Sequence, residues 1–389
     1  MDRLRNPFTP GAGALPPELA GRAKVIDDGR VLAGRTLLGR YEKSLLLIGL
    51  RGVGKTVLLK HLAENARREG VVPIIVEARN TEGDFEELAL RVKDALGVLD
   101  FASGVKTAVN HAFSVLRNFV KTFSINIGEF GMSVETAHGI AASGKMEFDL
   151  SEVLLACARA AKESRRAVGL YIDELQNLKI EAMRGIIVAL HLAAQESLPL
   201  YLVGSGLPSI RALVGKSKTY AERMFNYSEI GALEARDVDI AITMPLNNNG
   251  IDIEPDAVLE VFKETQGYPY FVQEYGYQLW NAAEGSPIVL EDVRRSARSV
   301  QARLDSNFFD VRFDRISNRE KEFLRAMAEC SDDSAMPMSG IVQRLGCSVS
   351  AVSPVRASLI KKGMVYSPMY GTIAYTVPMF SDYLRRTMR

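Results

Sequence analysis

Cysteine is scarce in this sequence: three residues among 389, at positions 157, 330 and 347. An odd count at such wide spacing offers no disulfide framework and fits reduced thiols in a cytoplasmic protein. The four histidines, His61, His111, His138 and His191, stand at no ligand spacing with one another or with cysteine, so a protein-held zinc site is not expected. Long apolar runs are missing too. The best of them, Ile186 to Gly204, is broken by His191, Gln195, Glu196 and Pro199, and no membrane span is expected. Met1 to Phe8 lack the apolar core of a signal peptide. Nor is one sign of charge in excess: 48 Lys+Arg against 47 Asp+Glu leave a net of +1, which fits neither a polyelectrolyte binder nor a disordered tail. Any contact with nucleic acid must therefore be local. The length calls for two or three domains.

What is present is concentrated in one stretch, Gly49-Leu50-Arg51-Gly52-Val53-Gly54-Lys55-Thr56. It follows the apolar run Ser44 to Ile48 and leads into the helical pattern from Val57 onward. Strand, glycine-rich turn and helix come in the order a phosphate-binding loop requires. Glycines let consecutive backbone N–H groups curl around an anion, and the helix adds its positive N-terminal end. Lys55 can reach the β- and γ-phosphates, and the Thr56 hydroxyl can ligate Mg²⁺. The second half of such a site comes at Ala167 to Glu174, an apolar strand that ends in two carboxylates. Asp173 can hold Mg²⁺ through its water shell, and Glu174 can polarise a water for attack on the γ-phosphate. Loop and acidic strand together specify hydrolysis as well as binding.

Around these motifs the chain reads as alternating strands and helices. Prolines and glycines make residues 7–17 an irregular, extended lead-in, followed by a helix from Ala23 to about Leu38. Val71–Glu77 reads as a buried strand, Thr81 to Val98 as an amphipathic helix and Phe101 to Thr122 as a further helix. Ser124 to Glu135 alternates apolar and polar residues around glycines, which signals a hairpin inserted into the nucleotide domain. Helices are expected at Asp149 to Glu163 and Met183 to Ser197, and a strand at Leu200 to Gly206 with Ser205 at its tip. Ser205 there could meet a γ-phosphate or its attacking water, or could simply be a turn residue. Arg223 lies on a short helix near Tyr220 to Phe225.

Past Pro245 and the turn at Asn247 to Gly250 the texture changes to helices at Pro255–Thr265, Pro269–Ala282 and Ile288–Leu304. The last block, from Val311, reads helix, short helix, turn, helix and hairpin, a winged-helix pattern. It carries 12 Lys+Arg against 7 Asp+Glu, a local balance of +5. Arg356, Lys361 and Lys362 lie on or just after its recognition helix and are the candidate contacts to double-stranded DNA. Pro354 interrupts that helix unless Ser353 caps a helix starting there. Winged helices also serve as protein-contact modules, and the sequence leaves both uses open.

Taken together, Gly49 to Thr56, the Ile172-Asp173-Glu174 and Val203-Gly204-Ser205 strand ends and the terminal winged-helix pattern resemble AAA+ ATPases. They are most similar to the branch of archaeal-type ATPases, origin-recognition initiators and signalling (STAND) NTPases. The resemblance implies an α/β P-loop NTPase fold, a three-layer sandwich around a five-stranded parallel sheet in residues 1–245, with an insertion at about 100–148. A helical lid at 246–310 and a winged-helix domain at 311–389 would follow. It implies ATP and Mg²⁺ as ligands and self-assembly on ATP binding. Gly49, Leu50, Arg51, Gly52, Val53, Gly54, Lys55, Thr56 and Val57 would line the nucleotide, Gly21 and Arg22 would contact its base, and Pro269 would help close the lid. Ser205 would sense the γ-phosphate, and Arg223 would be an arginine finger given to a neighbouring subunit. One departure stands out: the segment Gly267 to Gln273 has no arginine where initiators carry a lid arginine. Its Gly-Tyr-Pro form is similar to the signalling NTPases and implies a slow, switch-like cycle. The output would be a winged helix on DNA or, in the alternative, a protein-interaction or defence regulator.

Overall fold

A parallel sheet needs strands that are apolar on both faces, because helices cover both. Among the described residues, the computed structural model has five strands in its main sheet: β1 (Ser44–Ile48), β2 (Val71–Glu77), β3 (Ala167–Asp173), β4 (Leu200–Gly206) and the more polar β5 (Phe225–Glu229). Every residue of β1, β3 and β4 is buried. The strands lie in the order β2-β3-β4-β1-β5, with every neighbouring pair parallel. The structure describes residues 1–11, 13–79, 81, 83–103, 106–126, 139–330 and 335–388.

Helices Lys55–Arg68, Met146–Glu163 and Ile180–Gln195 turn apolar stripes toward the sheet. Leu154, Cys157 and Ala161 of the second meet Met183, Ile186 and Leu190 of the third in one buried cluster with Leu170 and Leu202 of the strands. Burial pushes the Cys157 thiol up to about 12, so it is an inert apolar filler. Between β2 and β3 run three helices, Gly83–Ser103, Lys106–Thr122 and Met146–Glu163, where a single crossover would suffice. The hairpin expected at 124–135 falls, from residue 127 onward, outside the described residues.

The chain divides into two compact units. The α/β unit holds Ala23–Gly49 and Lys55–Glu229; the helical unit holds Met1–Arg22, Leu50–Gly54 and Ile230–Arg389. Between the two units the chain passes at Glu229/Ile230. Pro245 lies inside helix Ala235–Asn247, which ends two residues later. The lead-in is likewise tied to the helical unit. Phe8 is 2% exposed and its ring fills the space that a side chain at Gly276 would need. Trp280 Nε1 donates to the Asp2 carbonyl at 2.7 Å, and Asn6 Nδ2 donates to the Tyr277 carbonyl at 3.0 Å.

The helical unit continues through helices Pro255–Thr265, Pro269–Ala282 and Leu290–Leu304 and a π-helical turn, Asp305–Asp310. Its last part runs helix Asn318–Cys330, strand β6 (Met336–Pro337), helices Met338–Leu345 and Val349–Lys361, strands β7 (Val365–Tyr366) and β8 (Thr372–Tyr375), and helix Phe380–Thr387. The three short strands form an antiparallel sheet in the order β6-β8-β7. Ser348, not Ser353, caps the helix at 349–361, accepting from the Ala351 N–H, so Pro354 sits within it. Among the described residues, no helix is long and apolar enough to cross a membrane.

One carboxylate stitches this last part together. Ser317 and Glu320 form a reciprocal cap at the start of helix Asn318–Cys330, with the Ser317 N–H donating to Glu320 Oε2 at 2.6 Å. From the end of helix Val349–Lys361, the Ser358 hydroxyl and the Lys362 ammonium each donate to the same carboxylate at 2.7 Å. Burial pushes the Glu320 carboxyl up, but the hydrogen bonds from Lys362, Ser358 and Ser317 outweigh it and hold the group down at about 2. Because the folded value lies below the ordinary one of 4.5, the stabilisation is complete above that pH and is lost as pH falls toward 2. Glu320→Gln is expected to cost about 2–3 kcal/mol at pH 7, and less at each step below pH 4.5. Urea melts of both proteins at pH 7, 4 and 3 check this; a pH-independent difference would refute the charge argument.

Candidate nucleotide site

Register assembles the acidic half of the site. β1 and β4 pair Leu47 with Ser205 and Ile48 with Gly206, while β3 and β4 pair Ile172 with Gly204. Asp173 and Ser205 therefore end adjacent strands beside the start of the loop, at the carboxyl edge of the sheet where α/β folds bind ligands. The Gly49 N–H extends the β1–β4 ladder by donating to the Gly206 carbonyl at 3.1 Å.

Within the α/β unit, the Thr56 hydroxyl donates to Asp173 Oδ2 at 2.6 Å. The Ser205 hydroxyl, fully buried, donates to Asp173 Oδ1, which also accepts the Glu174 N–H at 2.9 Å. Asp173 is thus held on both oxygens. The Thr56 and Asp173 oxygens side by side are the hard donor set that Mg²⁺ takes, together with waters and phosphate. Ser205, which the sequence offered as a contact to the γ-phosphate or its attacking water or as a turn residue, thus donates to Asp173. Lys55 is only 5% exposed and opens helix Lys55–Arg68, in which Val57 is also buried.

Glu174 has left-handed backbone, φ 49° and ψ 38°, which a residue with a Cβ adopts only at a cost. Its carboxylate accepts a hydrogen bond from the Gln176 amide. The Gln176 carbonyl in turn accepts the Leu207 N–H at 2.9 Å, just past the end of β4. Gly206 makes room for this, because a Cβ there would collide with Gln176 Oε1. Gln176 was not singled out from the sequence; no motif marks it, since its role depends on the β3–β4 register.

The apex of the loop, Leu50–Gly54, belongs to the helical unit. Gly52 and Gly54 have φ of +81° and +91°, as the inward curl of the N–H groups demands. Arg22 donates to the Gly231 carbonyl at 2.6 Å and to the Val53 carbonyl at 3.3 Å. Burial lowers the Arg22 pKa, with Asp237 opposing it. Gly21 packs against Asp237, and Arg22 braces the loop through Val53. Pro269 is the first residue of helix Pro269–Ala282, preceded by Tyr268, whose hydroxyl would stand 2.7 Å from a Cβ on Gly52. Sequence reading passed over Tyr268, although it lies within the Gly267-Tyr268-Pro269 signal.

The remaining candidates lie elsewhere. Arg223 is exposed on the turn Ala221–Met224 that leads into β5. Arg356 is half-buried and donates to the Ser367 hydroxyl, and Lys362 is committed to Glu320 and the Arg315 carbonyl. Lys361 is exposed.

Comparisons with known proteins agree with this geometry. The family described as AAA domain matches residues 38–213, which span the loop, Asp173, Glu174 and Ser205. A domain of unknown function (DUF8462) matches residues 306–384. Among solved structures, the Walker-type ATPase PABY2304 of Pyrococcus abyssi is similar, with a TM-score of 0.56 and 17% identity, covering 96% of this chain and 99% of that one. The Aeropyrum pernix ORC2 protein in its ADP form gives a TM-score of 0.56 and 14% identity, covering 100% of this chain and 98% of that one. The fold is that of an AAA+ P-loop NTPase. At such identities the likeness to the solved structures concerns the fold alone. No curated protein matches the chain. The AAA+ fold has the five-stranded parallel sheet with flanking helices that the sequence implied.

Proposed function

We propose that this chain is a Mg²⁺-dependent ATPase of the AAA+ fold that acts as a nucleotide switch. The observation that carries the reading is the Thr56–Asp173 hydrogen bond at 2.6 Å, with Glu174 as the next residue. A cation held by Thr56 and Asp173 would offset charge on the β- and γ-phosphates. Lys55 and the backbone N–H groups of Gly49 to Thr56 bind the phosphates. Glu174, tethered by Gln176, orients a water and accepts its proton. Arg223, exposed in the single chain, would enter a neighbour's site on ATP-driven self-assembly. Such a finger would raise turnover steeply with protein concentration.

For the output we propose that helices Asn318–Cys330, Met338–Leu345 and Val349–Lys361 with β6–β8 act as a winged helix whose contacts change with the bound nucleotide. DNA is the first partner to test, given the local charge balance. A protein partner is favoured by a different observation: Arg356 and Lys362 have intrachain partners, while the β7–β8 connection presents Met369 and Tyr370 at 67% and 105% exposure. One experiment addresses catalysis and output together. ATP turnover is measured at rising protein concentration, and duplex DNA binding is titrated against salt with ATP, ADP and no nucleotide. A DNA switch loses affinity linearly on a log–log salt plot and differs between nucleotides. Hydrolysis with no DNA binding in any state supports the protein-contact reading, and no hydrolysis at any concentration overturns the ATPase.

A further inference from the structure

We infer that the helical unit carries both halves of a head-to-tail contact between copies of this chain. The exposed face of helix Val349–Lys361 and the β7–β8 tip of one copy seat on helices Ala235–Asn247 and Pro255–Thr265 of the next. The inference rests on the reading of the last block as a contact module and names its partner.

From Ala335 to Ser381 the sequence has no Asp or Glu, while it has Arg344, Arg356, Lys361 and Lys362. Three of these bases are engaged within the chain. Arg344 pairs with Glu329 and Lys362 with Glu320, each at 2.7 Å, and Arg356 donates to the Ser367 hydroxyl. Little charge is thus left for the phosphates of DNA, which bind chiefly through free Lys and Arg. What the face presents instead is apolar. Val349 and Ile360 are 63% and 37% exposed and lie about three turns apart, on a stripe with the exposed Ser353 and Ala357. The Arg356–Ser367 bond holds the end of β7 to this helix, and the tip beyond it carries the exposed Met369 and Tyr370. Aromatic and methionine side chains with few charges among them are the composition of a protein interface.

The same unit offers the complement. Between Glu234 and Glu260 the sequence has seven Asp and Glu against a single base, Arg236. Helices Ala235–Asn247 and Pro255–Thr265, which pack on one another, carry or begin at all of these acids but Asp252. Each helix also exposes one large apolar side chain, Met244 at 44% and Leu259 at 49%. A second copy therefore matches on both counts: apolar anchors meet apolar anchors, and a face without acids meets an acidic one. Duplex DNA would match on charge alone. Both faces are exposed in the single chain, so neither covers the other there. Because the two faces are unlike, the contact is heterologous and repeats from copy to copy.

The test is sedimentation velocity of the full chain at rising concentration. No nucleotide is added, which keeps it apart from ATP-driven assembly through Arg223. The parent's mean mass is expected to climb past that of a dimer, and to climb less in about 1 M salt than in about 0.1 M. The double variants Met369→Ser with Tyr370→Ser, and Met244→Lys with Leu259→Lys, should each weaken association about 30-fold, the scale of a lost hot spot. All four positions are exposed, so both variants should fold, which circular dichroism checks. Mixing the two decides the geometry. Each keeps the face that the other lacks, so the mixture should form a dimer and nothing larger. A parent that stays monomeric overturns the contact, and so does a mixture that stays monomeric. Duplex DNA is titrated on the same proteins. If the parent is monomeric and the tip variant loses DNA affinity, the last block is a contact module for DNA and the second copy is wrong. If the tip variant alters neither association nor DNA binding, the contact-module reading falls as well.

Discussion

Glu174→Gln is expected to keep ATP bound and to lower its turnover by about 10²–10⁴-fold, the usual contribution of a positioned general base. The amide has nearly the shape of the carboxylate and can occupy the same left-handed backbone, φ 49°. What it lacks is the ability to accept a proton from water. Binding should survive because the contacts to phosphate come from other residues, namely Lys55, Thr56 and the loop N–H groups. The tether refines the prediction. Gln176 holds Glu174 from the side of β4 through Leu207, so Gln176→Ala should lower kcat by about tenfold, one hydrogen bond's worth, without changing nucleotide affinity. Single-turnover hydrolysis beside equilibrium nucleotide binding separates the two effects. Parental turnover in Glu174→Gln would remove Glu174 from the mechanism, and a Gln176→Ala variant altered only in affinity would make Gln176 a packing residue.

The parts of this site that were legible in the sequence are those whose meaning is local. Ser44–Ile48, Val71–Glu77 and Leu200–Gly206 are short apolar runs closed by turn residues, and they are strands with those limits. The helices Pro255–Thr265, Pro269–Ala282 and Asn318–Cys330 begin and end where proline, glycine and capping residues indicated. What was not legible depends on partners far along the chain. Glu320 and Lys362 are 42 residues apart, and only the fold discloses that the lysine pairs with a buried carboxylate. Arg356 and Ser367 meet for the same reason, the serine lying just past β7. The lead-in offers only prolines and glycines to a pattern search, yet Phe8 belongs under Gly276, 268 residues later. Ser205 was placed at the right strand end, but its hydrogen bond to Asp173 follows from register, which alternation alone does not set.

Lys55→Ala is expected to weaken ATP binding by about 100-fold or more, the scale of losing a buried charge-assisted contact. Lys55 is the first residue of helix Lys55–Arg68, where a positive side chain and the positive end of the helix both favour a bound anion. At 5% exposure its charge is screened little by solvent, which is the condition under which one ammonium counts for most. Thermal unfolding with and without Mg²⁺–ATP offers a second readout. At a ligand concentration 100 times Kd the parent gains about 2.7 kcal/mol, and a variant 100-fold weaker gains about 0.4 kcal/mol. Thr56→Ala gives the contrast. Its hydroxyl touches Asp173 and would touch the cation, so its defect should be confined to Mg²⁺-containing buffer and should match that of the parent in excess EDTA. If Lys55→Ala kept the parental shift while Thr56→Ala lost it, binding would be dominated by the cation and not by the loop. Should both variants keep it, the nucleotide does not bind where Lys55 and Thr56 converge.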